Sequence, residues 1–297
     1  MLIFYCFLSC ENEHKVEYYN DGKIKKEYYL RDGKLNDIYK EYYPNGKLKQ
    51  IHYYRDNVKV DSSITYYKSP DERIKGIIYW KTNGVDSLAK RVIFNINGDK
   101  LNEGSILHLG MDKFVPVGNW RYFDAQGRLK STREYKNIDG KSYLNQVWSF
   151  NTEGDTLYYP TTYFEIIKAQ DTFALNYPFR AAAILGLPIF KERKSEIYVV
   201  LPKSGFNFNS DFSNEKEIEL DTFYNLTKDI VNQRWFPKDE FRFTVAFGKK
   251  IKKTGDYTVR GYIVEYFEQD SDSMGVIREE NIKYFEIPIY VKDTIIK

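Results

Sequence analysis

The chain of 297 residues corresponds to about two domains, at roughly 100–200 residues each. Its 45 basic and 42 acidic side chains nearly cancel, so the net charge of +3 gives no electrostatic reason to expect nucleic-acid binding. No apolar run reaches the roughly 20 residues that a membrane-spanning helix needs, which excludes a polytopic membrane protein. Aromatic residues make up 17% of the chain, a composition that favours strands.

The first ten residues form an apolar segment that contains both cysteines, Cys6 and Cys10. Because both lie there, we expect no disulfide framework and no thiolate metal site in the folded body. The segment Phe7-Leu8-Ser9-Cys10 resembles a bacterial lipobox, which implies that residues 1–10 are a lipoprotein signal and that Cys10 is lipidated. Acyl chains on Cys10 would anchor the protein to a membrane without spanning it. Two alternatives stay open, an ordinary apolar N-terminus and a start codon assigned too late.

Residues 11–158 repeat one short motif, in which an aromatic pair is followed by a few polar residues, a glycine, a basic residue and an aliphatic one. Self-similarity at a nearly fixed spacing indicates a repeat architecture. Asn or Asp precedes several of the glycines and, like glycine, tolerates the positive φ of tight hairpin turns, so we expect short strands joined by hairpins. The glycines with this structural role are Gly22, Gly33, Gly46, Gly127 and Gly154.

The repeated motif resembles the MORN-variant repeat of bacterial proteins, often labelled YwqK-type antitoxins. This resemblance covers about half of the chain and implies an extended antiparallel meander of hairpins. It implies neither catalytic residues nor a cofactor.

One tyrosine of each aromatic pair could contribute to a stripe along one face of this sheet. These residues are Tyr19, Tyr29, Tyr43, Tyr54 and Tyr67. Such a stripe could stack against sugars or dock an extended peptide. The alternative is that the rings pack across strands and stabilise the sheet by roughly 0.2–1 kcal/mol per pair.

The glycine spacing ends near residue 158, and residues 159–297 contain several apolar or alternating segments that predict strands. Six or seven such strands suggest a β-sandwich. Between them, Leu226 and Ile230 share a helical face and predict one or two helical turns. The clearest strand segments are Ile197–Leu201, Phe241–Phe247, Tyr257–Val264 and Tyr284–Val291.

A tyrosine follows a Gly-Asp turn at Tyr257, with Val259 two places further on. This arrangement resembles the tyrosine corner of immunoglobulin-like domains, in which the hydroxyl bonds to backbone upstream. The resemblance implies an Ig-like β-sandwich without an inter-sheet disulfide, and any other β-sandwich is the alternative. Tyr262 faces away from Val259 and Ile263, so we expect Tyr262 to tolerate alanine much better than Tyr257 does.

No motif in the sequence carries recognisable chemistry. The three histidines are isolated, whereas a zinc site needs three or four converging donors. Phosphate loops, nucleophile elbows and dinucleotide fingerprints are not found. The carboxylates of Glu268, Asp270 and Asp272 could suit Ca²⁺, but the segment lacks the Gly and the terminal Glu of an EF-hand loop, which favours a solvated hairpin tip. We therefore expect no catalytic residue, no metal and no cofactor.

These observations predict a non-enzymatic, lipid-anchored bacterial envelope protein, facing the periplasm or attached to the outer membrane, that binds or spaces a protein or glycan partner. One alternative is an immunity-type protein that neutralises a cognate toxin, as the repeat family's label suggests. Another is an enzyme acting on envelope glycans through carboxylates such as Glu215 and Glu217, although no motif positions such a pair.

Overall fold

A computed structural model describes residues 12–81, 88–110, 113–271 and 275–293. The chain divides into two compact units, Met1–Lys130 and Ser131–Lys297. The sequence suggested a boundary at residue 158, where the repeats end, whereas the compact units divide earlier. Residues 1–10, which include the predicted lipidation residue Cys10, lie outside the described residues.

The repeats form an 11-stranded sheet in which the strands follow one another in chain order. Each described pair of neighbours is antiparallel, so the predicted meander is confirmed. The strands are β1 (Asn12–Tyr18), β2 (Ile24–Arg31), β3 (Lys34–Tyr42), β4 (Leu48–Arg55), β5 (Val58–Tyr66), β6 (Ile74–Tyr79), β7 (Leu88–Phe94), β8 (Lys100–His108), β9 (Phe114–Phe123), β10 (Leu129–Ile138) and β11 (Lys141–Ser149).

Equivalent turns join β1 to β2, β3 to β4, β7 to β8 and β9 to β10. The Gly22 N–H donates to the Tyr19 carbonyl at 3.0 Å, and the Gly46 N–H donates to the Tyr43 carbonyl at 2.8 Å. Both glycines adopt left-handed backbone, with φ of 80° and 81°. A side chain with a Cβ is strained in this conformation, which explains why glycine recurs there.

The second unit adds two sheets to the last meander strands. A three-stranded sheet has the order β12-β14-β17, and a five-stranded sheet has the order β13-β19-β18-β15-β16. Short 3₁₀ helices lie in the connections. The strands are β12 (Phe164–Lys168), β13 (Thr172–Ala174), β14 (Pro178–Leu185), β15 (Glu196–Pro202), β16 (Leu220–Tyr224), β17 (Thr244–Lys250), β18 (Gly255–Ser271) and β19 (Gly275–Lys292).

The main core of this unit lies between these two sheets. Ala183 and Val245 from the smaller sheet share one buried cluster with Val199, Val259 and Ile263 from the larger sheet. Alternate residues of a strand point to opposite faces, so each sheet contributes one apolar face to this layer. The fold is therefore all-β, as the sequence predicted.

Tyr257 is partly buried against this cluster, and burial raises the pKa of its phenol. Within the described residues, no acceptor receives a hydrogen bond from its hydroxyl. The Ig-like assignment, which depends on that bond, stays a prediction.

A second buried cluster covers the opposite face of β18 and β19. Tyr262 and Tyr284 pack there against Phe208 and Phe212 from the loop before β16. The expectation that Tyr262 tolerates alanine therefore loses its basis, because this side chain is only 8% exposed. The prediction that Tyr262 faces away from Val259 and Ile263 was correct. The alternation of residues did not reveal that both faces of the β18–β19 hairpin are covered.

The helical turns expected near Leu226 are reduced to one turn, in which the Asp229 N–H donates to the Asn225 carbonyl at 3.1 Å, and the short 3₁₀ helix Gln233–Trp235. Leu226 is completely buried, whereas Ile230 is 76% exposed, so the two side chains do not share a face. The Leu226 N–H donates to the carbonyls of Phe241 and Thr244, contacts with a later segment that replace those of a helix.

Candidate binding surface on the repeat sheet

Aromatic rings meet across the first strands of the meander. Tyr28 pairs with Tyr39 in the register of β2 and β3, and Tyr39 pairs with His52 in that of β3 and β4. Paired side chains lie on the same face of a sheet. The ring centroids are accordingly 5.8 Å apart for Tyr28 and Tyr39, and 5.9 Å apart for Tyr39 and His52. Tyr54 completes this group, with its centroid 6.0 Å from that of Tyr39.

A second group of rings lies further along the same face. Trp80, directly after β6, has its ring centroid 5.7 Å from Phe114 and 6.2 Å from His108. His108 and Phe114 are stacked at 4.9 Å. We call the two groups together the ring row, which consists of Tyr28, Tyr39, His52, Tyr54, Trp80, His108 and Phe114.

The Ser63 hydroxyl joins the two groups of the ring row. The Trp80 indole Nε1–H donates to Ser63 Oγ at 2.8 Å, and His52 Nδ1 lies 2.7 Å from the same oxygen. Ser63 is 3% exposed and His52 is 8% exposed, so bulk water competes little for these bonds. The bonds fix the orientation of the Trp80 ring relative to the sheet.

A pocket of about 270 Å³ opens beside this junction, and we call it the polar pocket. Its polar lining comes from Gln50, Thr65 and the two bonded residues His52 and Ser63. These side chains share a face because Gln50 pairs with Thr65 and His52 pairs with Ser63 in the register of β4 and β5. Its apolar wall comes from Ile78, Trp80 and Phe114.

Two cations complete the lining of the polar pocket. Lys59 Nζ lies 5.9 Å from the centroid of the Trp80 ring, within the range of a cation–π contact. Arg91 also lines the pocket, is exposed and makes no ion pair with a described acidic residue. Among the described residues that line the pocket, the charged side chains are Lys59 and Arg91, and both are cationic.

The five tyrosines predicted to form one stripe are divided among three roles. Tyr54 belongs to the ring row, whereas Tyr29 stacks on His14 at 4.7 Å and is 37% exposed on the opposite face. The other three directly follow β1, β3 and β5. Each bonds to the last residue of the strand two places further along the sheet. Their hydroxyls donate as follows: Tyr19 to the Tyr42 carbonyl at 2.7 Å, Tyr43 to the Tyr66 carbonyl at 3.0 Å and Tyr67 to the Phe94 carbonyl at 2.7 Å.

The main residues of the polar pocket were not identified from the sequence. Trp80, Ser63 and Arg91 fall in the degraded copies of the repeat, where the aromatic and glycine spacing is irregular. The sequence feature that could have indicated this site is the pair Tyr79-Trp80, in which a tryptophan stands where other copies have a second tyrosine.

One of the two carboxylates considered for glycan chemistry has a structural contact. Glu215 accepts a hydrogen bond from the Tyr262 hydroxyl at 2.5 Å. Glu268, considered for Ca²⁺, pairs with Arg278 at 2.9 Å, and Asp272 lies outside the described residues. Across the part of the chain that the structure describes, no three His, Cys, Asp or Glu side chains are grouped to hold a metal ion. The described residues also contain no helix of the length and apolarity needed to span a membrane.

Two segments of the meander, residues 38–56 and 116–137, match the MORN repeat variant family. The first of these segments contains Tyr39, His52 and Tyr54 of the ring row. The presence of MORN-variant repeats, which the sequence predicted, is therefore confirmed for these segments. No curated protein matches the chain.

Proposed function

We propose that the protein is a non-enzymatic binding protein and that its polar pocket receives one acidic ring of a glycan. The observation that carries this proposal is the combination of the Trp80 wall with Arg91 and Lys59 above a hydrogen-bonding floor. The apolar face of a sugar ring packs on an aromatic side chain, and its hydroxyls bond to groups such as Gln50 and Thr65. A carboxylate on the ring would pair with the Arg91 guanidinium.

The size of the polar pocket supports a single ring as the group that enters. Its volume of about 270 Å³ lies just below the roughly 300–1,000 Å³ of pockets for drug-sized ligands. The remaining rings of a glycan would extend over the neighbouring ring row, where Tyr39 and Tyr54 are only partly buried. Burial raises the pKa of Tyr39, so its phenol stays neutral and able to donate a hydrogen bond at physiological pH.

Binding of an oligogalacturonate, compared with a neutral galactose oligomer of equal length, tests this proposal by calorimetry. We expect Arg91→Gln to weaken binding of the acidic oligomer by about 10- to 100-fold, since a charge-assisted hydrogen bond contributes about 1.5–3 kcal/mol. Trp80→Ala should weaken binding of both oligomers. The matched control is Arg55→Gln, at an exposed arginine of β4 outside the pocket. Equal affinity for the two oligomers, or an unchanged affinity in Arg91→Gln, would contradict the proposal.

We also propose that the protein is anchored in the bacterial envelope through Cys10. The lipobox-like segment before Cys10 supports this, and the strand β1 begins at Asn12, two residues after the proposed attachment point. Attachment there would hold the repeat sheet next to the membrane surface, where envelope glycans are found. The toxin-neutralising alternative rests on the family label alone.

The wild-type protein should partition into the detergent phase and carry the mass of acyl chains, because two chains give stable anchoring where one does not. Cys10→Ala should release it into the aqueous phase, whereas Cys6→Ala should leave it in the detergent phase. Mass spectrometry of the wild type with Met1 intact and no acyl mass would exclude the anchor.

A further inference from the structure

A cleft lies on the outer face of the three-stranded sheet of the second unit. Ala182 pairs with Ile167 on one side and with Ala246 on the other, so these three side chains share a face. Their neighbours Ala183 and Val245 point into the core, which places Ala182 and Ala246 on the opposite, outer face. All three residues of the outer row line the cleft.

The cleft has a floor of small side chains and a wall of large ones. Alanine at two of the three central positions leaves a depression, and the cleft has a volume of about 700 Å³. Val231, Trp235 and Phe236, from the segment between β16 and β17, form the wall. Val231 is 74% exposed and Trp235 is 69% exposed, so the wall is an exposed apolar patch of the kind that marks interaction sites.

The outer row of the cleft crosses three strands, from Ile167 on β12 over Ala182 on β14 to Ala246 on β17. Neighbouring strands are about 4.8 Å apart, so these three positions span about 10 Å. An alkyl chain can lie along an apolar row of this length and bury its CH₂ groups there.

Two arginines give the cleft a positive charge. Arg180 pairs with Gly248 on the outer face, and Arg234 lies with its guanidinium 4.9 Å from the Trp235 ring centroid. Neither arginine forms an ion pair with an acidic residue in the described part of the chain. Asp229, the acidic residue of the lining, instead accepts a hydrogen bond from the Asn232 side chain at 2.6 Å.

We propose that this cleft binds an amphipathic anion, with its alkyl chain along Ile167, Ala182 and Ala246 and its carboxylate at Arg180 and Arg234. Burial of each CH₂ group is favourable, and a guanidinium is suited to pair with a carboxylate. The proposal is independent of the polar pocket, because it concerns a different ligand and different residues.

Decanoate is the probe, and decanol is its neutral counterpart, with binding of both to the full chain measured by calorimetry. We expect decanoate to bind more tightly than decanol to the wild type. Arg180→Gln combined with Arg234→Gln should weaken decanoate binding at least tenfold and leave decanol binding unchanged. Ala246→Leu, which fills the floor, should weaken binding of both probes at least tenfold.

Lys250→Gln is the matched control, because this residue is exposed on β17 outside the cleft lining. A thermal melt of each variant establishes whether it is folded. If Ala246→Leu does not fold, Ala246→Val replaces it as a smaller change that also fills the floor. No binding of decanoate to the folded wild type would overturn the proposal. Unchanged binding in the folded filling variant would overturn it as well, and equal weakening of both probes by the arginine changes would exclude recognition of the anionic group.

Discussion

Tyr262→Ala is expected to lower the free energy of unfolding of the second unit by about 3–5 kcal/mol, the range for removal of a large buried aromatic side chain. The Tyr262 ring contacts Phe208 and Tyr284, with centroids 6.0 and 5.7 Å away, so its loss leaves a cavity among other rings. Burial and the nearby Glu215 carboxylate raise the pKa of its phenol, which therefore stays protonated and donates to Glu215. Chemical denaturation followed by circular dichroism measures the loss.

Tyr257→Ala is the comparison for this experiment, since Tyr257 is only partly buried at the edge of the main core. We expect a smaller loss at Tyr257, the reverse of the order that the sequence suggested. Tyr262→Phe keeps the ring and loses the bond to Glu215, so it should cost about 1.5–3 kcal/mol. A larger loss at Tyr257 than at Tyr262 would restore the original order and support a tyrosine corner.

Asn145→Ala is expected to lower the stability of the second unit by about 2–5 kcal/mol. The Asn145 side chain is completely buried on β11 and bonds to both backbone groups of Tyr284 on β19. Its Nδ2 donates to the Tyr284 carbonyl at 2.9 Å, and its Oδ1 accepts from the Tyr284 N–H at 2.7 Å. Alanine leaves these two buried groups unpaired, and each unpaired group costs about 1–3 kcal/mol.

Leu144→Ala is the control on the same strand, because Leu144 is 43% exposed. It should change the stability by less than about 1 kcal/mol, as is usual at exposed positions. Equal and small losses at the two positions would mean that β11 contributes little to the second unit. In that case the boundary suggested by the sequence, at residue 158, would describe the unit better than residue 130 does.

The architecture of the repeats could be predicted because local chemistry determines it. A glycine at the same place in most copies favours a turn there, and alternating segments between turns favour strands. Consecutive hairpins then pair with their neighbours, which produces the observed strand order. The all-β second unit was predictable for the same reason, from segments such as Tyr257–Val264.

The faces of the sheet were not predicted correctly, because the tyrosine pairs lie at different distances from the turns that follow them. The pairing slips between Tyr28 and Tyr29, and again between His52 and Tyr53. Each shift skips two residues of the partner strand, Asp37 and Ile38 in the first case and Asp61 and Ser62 in the second, so the alternation of faces is preserved. Tyr29 and Tyr54 lie on opposite faces because the pair Tyr53-Tyr54 is one residue closer to the turn that follows it than the pair Tyr28-Tyr29 is. The polar pocket depends on this register, so its residues could be recognised only in three dimensions.

The start of the second unit, at Ser131, could not be predicted from the sequence for another reason. The strands β10 and β11 carry repeat-like sequence, but their side chains make distant contacts, such as Tyr143 with the Ile282 carbonyl at 2.8 Å and Lys136 with Glu286 at 3.3 Å. Contacts between residues so far apart in the chain leave no local pattern. The repeat spacing therefore continues beyond the point at which the chain joins the second unit.

The tyrosine-to-carbonyl bonds of the repeats give the meander a mechanical property. The Tyr19 hydroxyl, at the start of the β1–β2 turn, bonds to the last residue of β3. The Tyr43 hydroxyl, at the start of the β3–β4 turn, bonds in the same way to the last residue of β5. A pulling force that peels β1 from the edge of the sheet would have to break the Tyr19 bond together with the strand ladder. Each hairpin should then yield as a separate step, so that the meander extends under load in increments of about one repeat instead of rupturing at once.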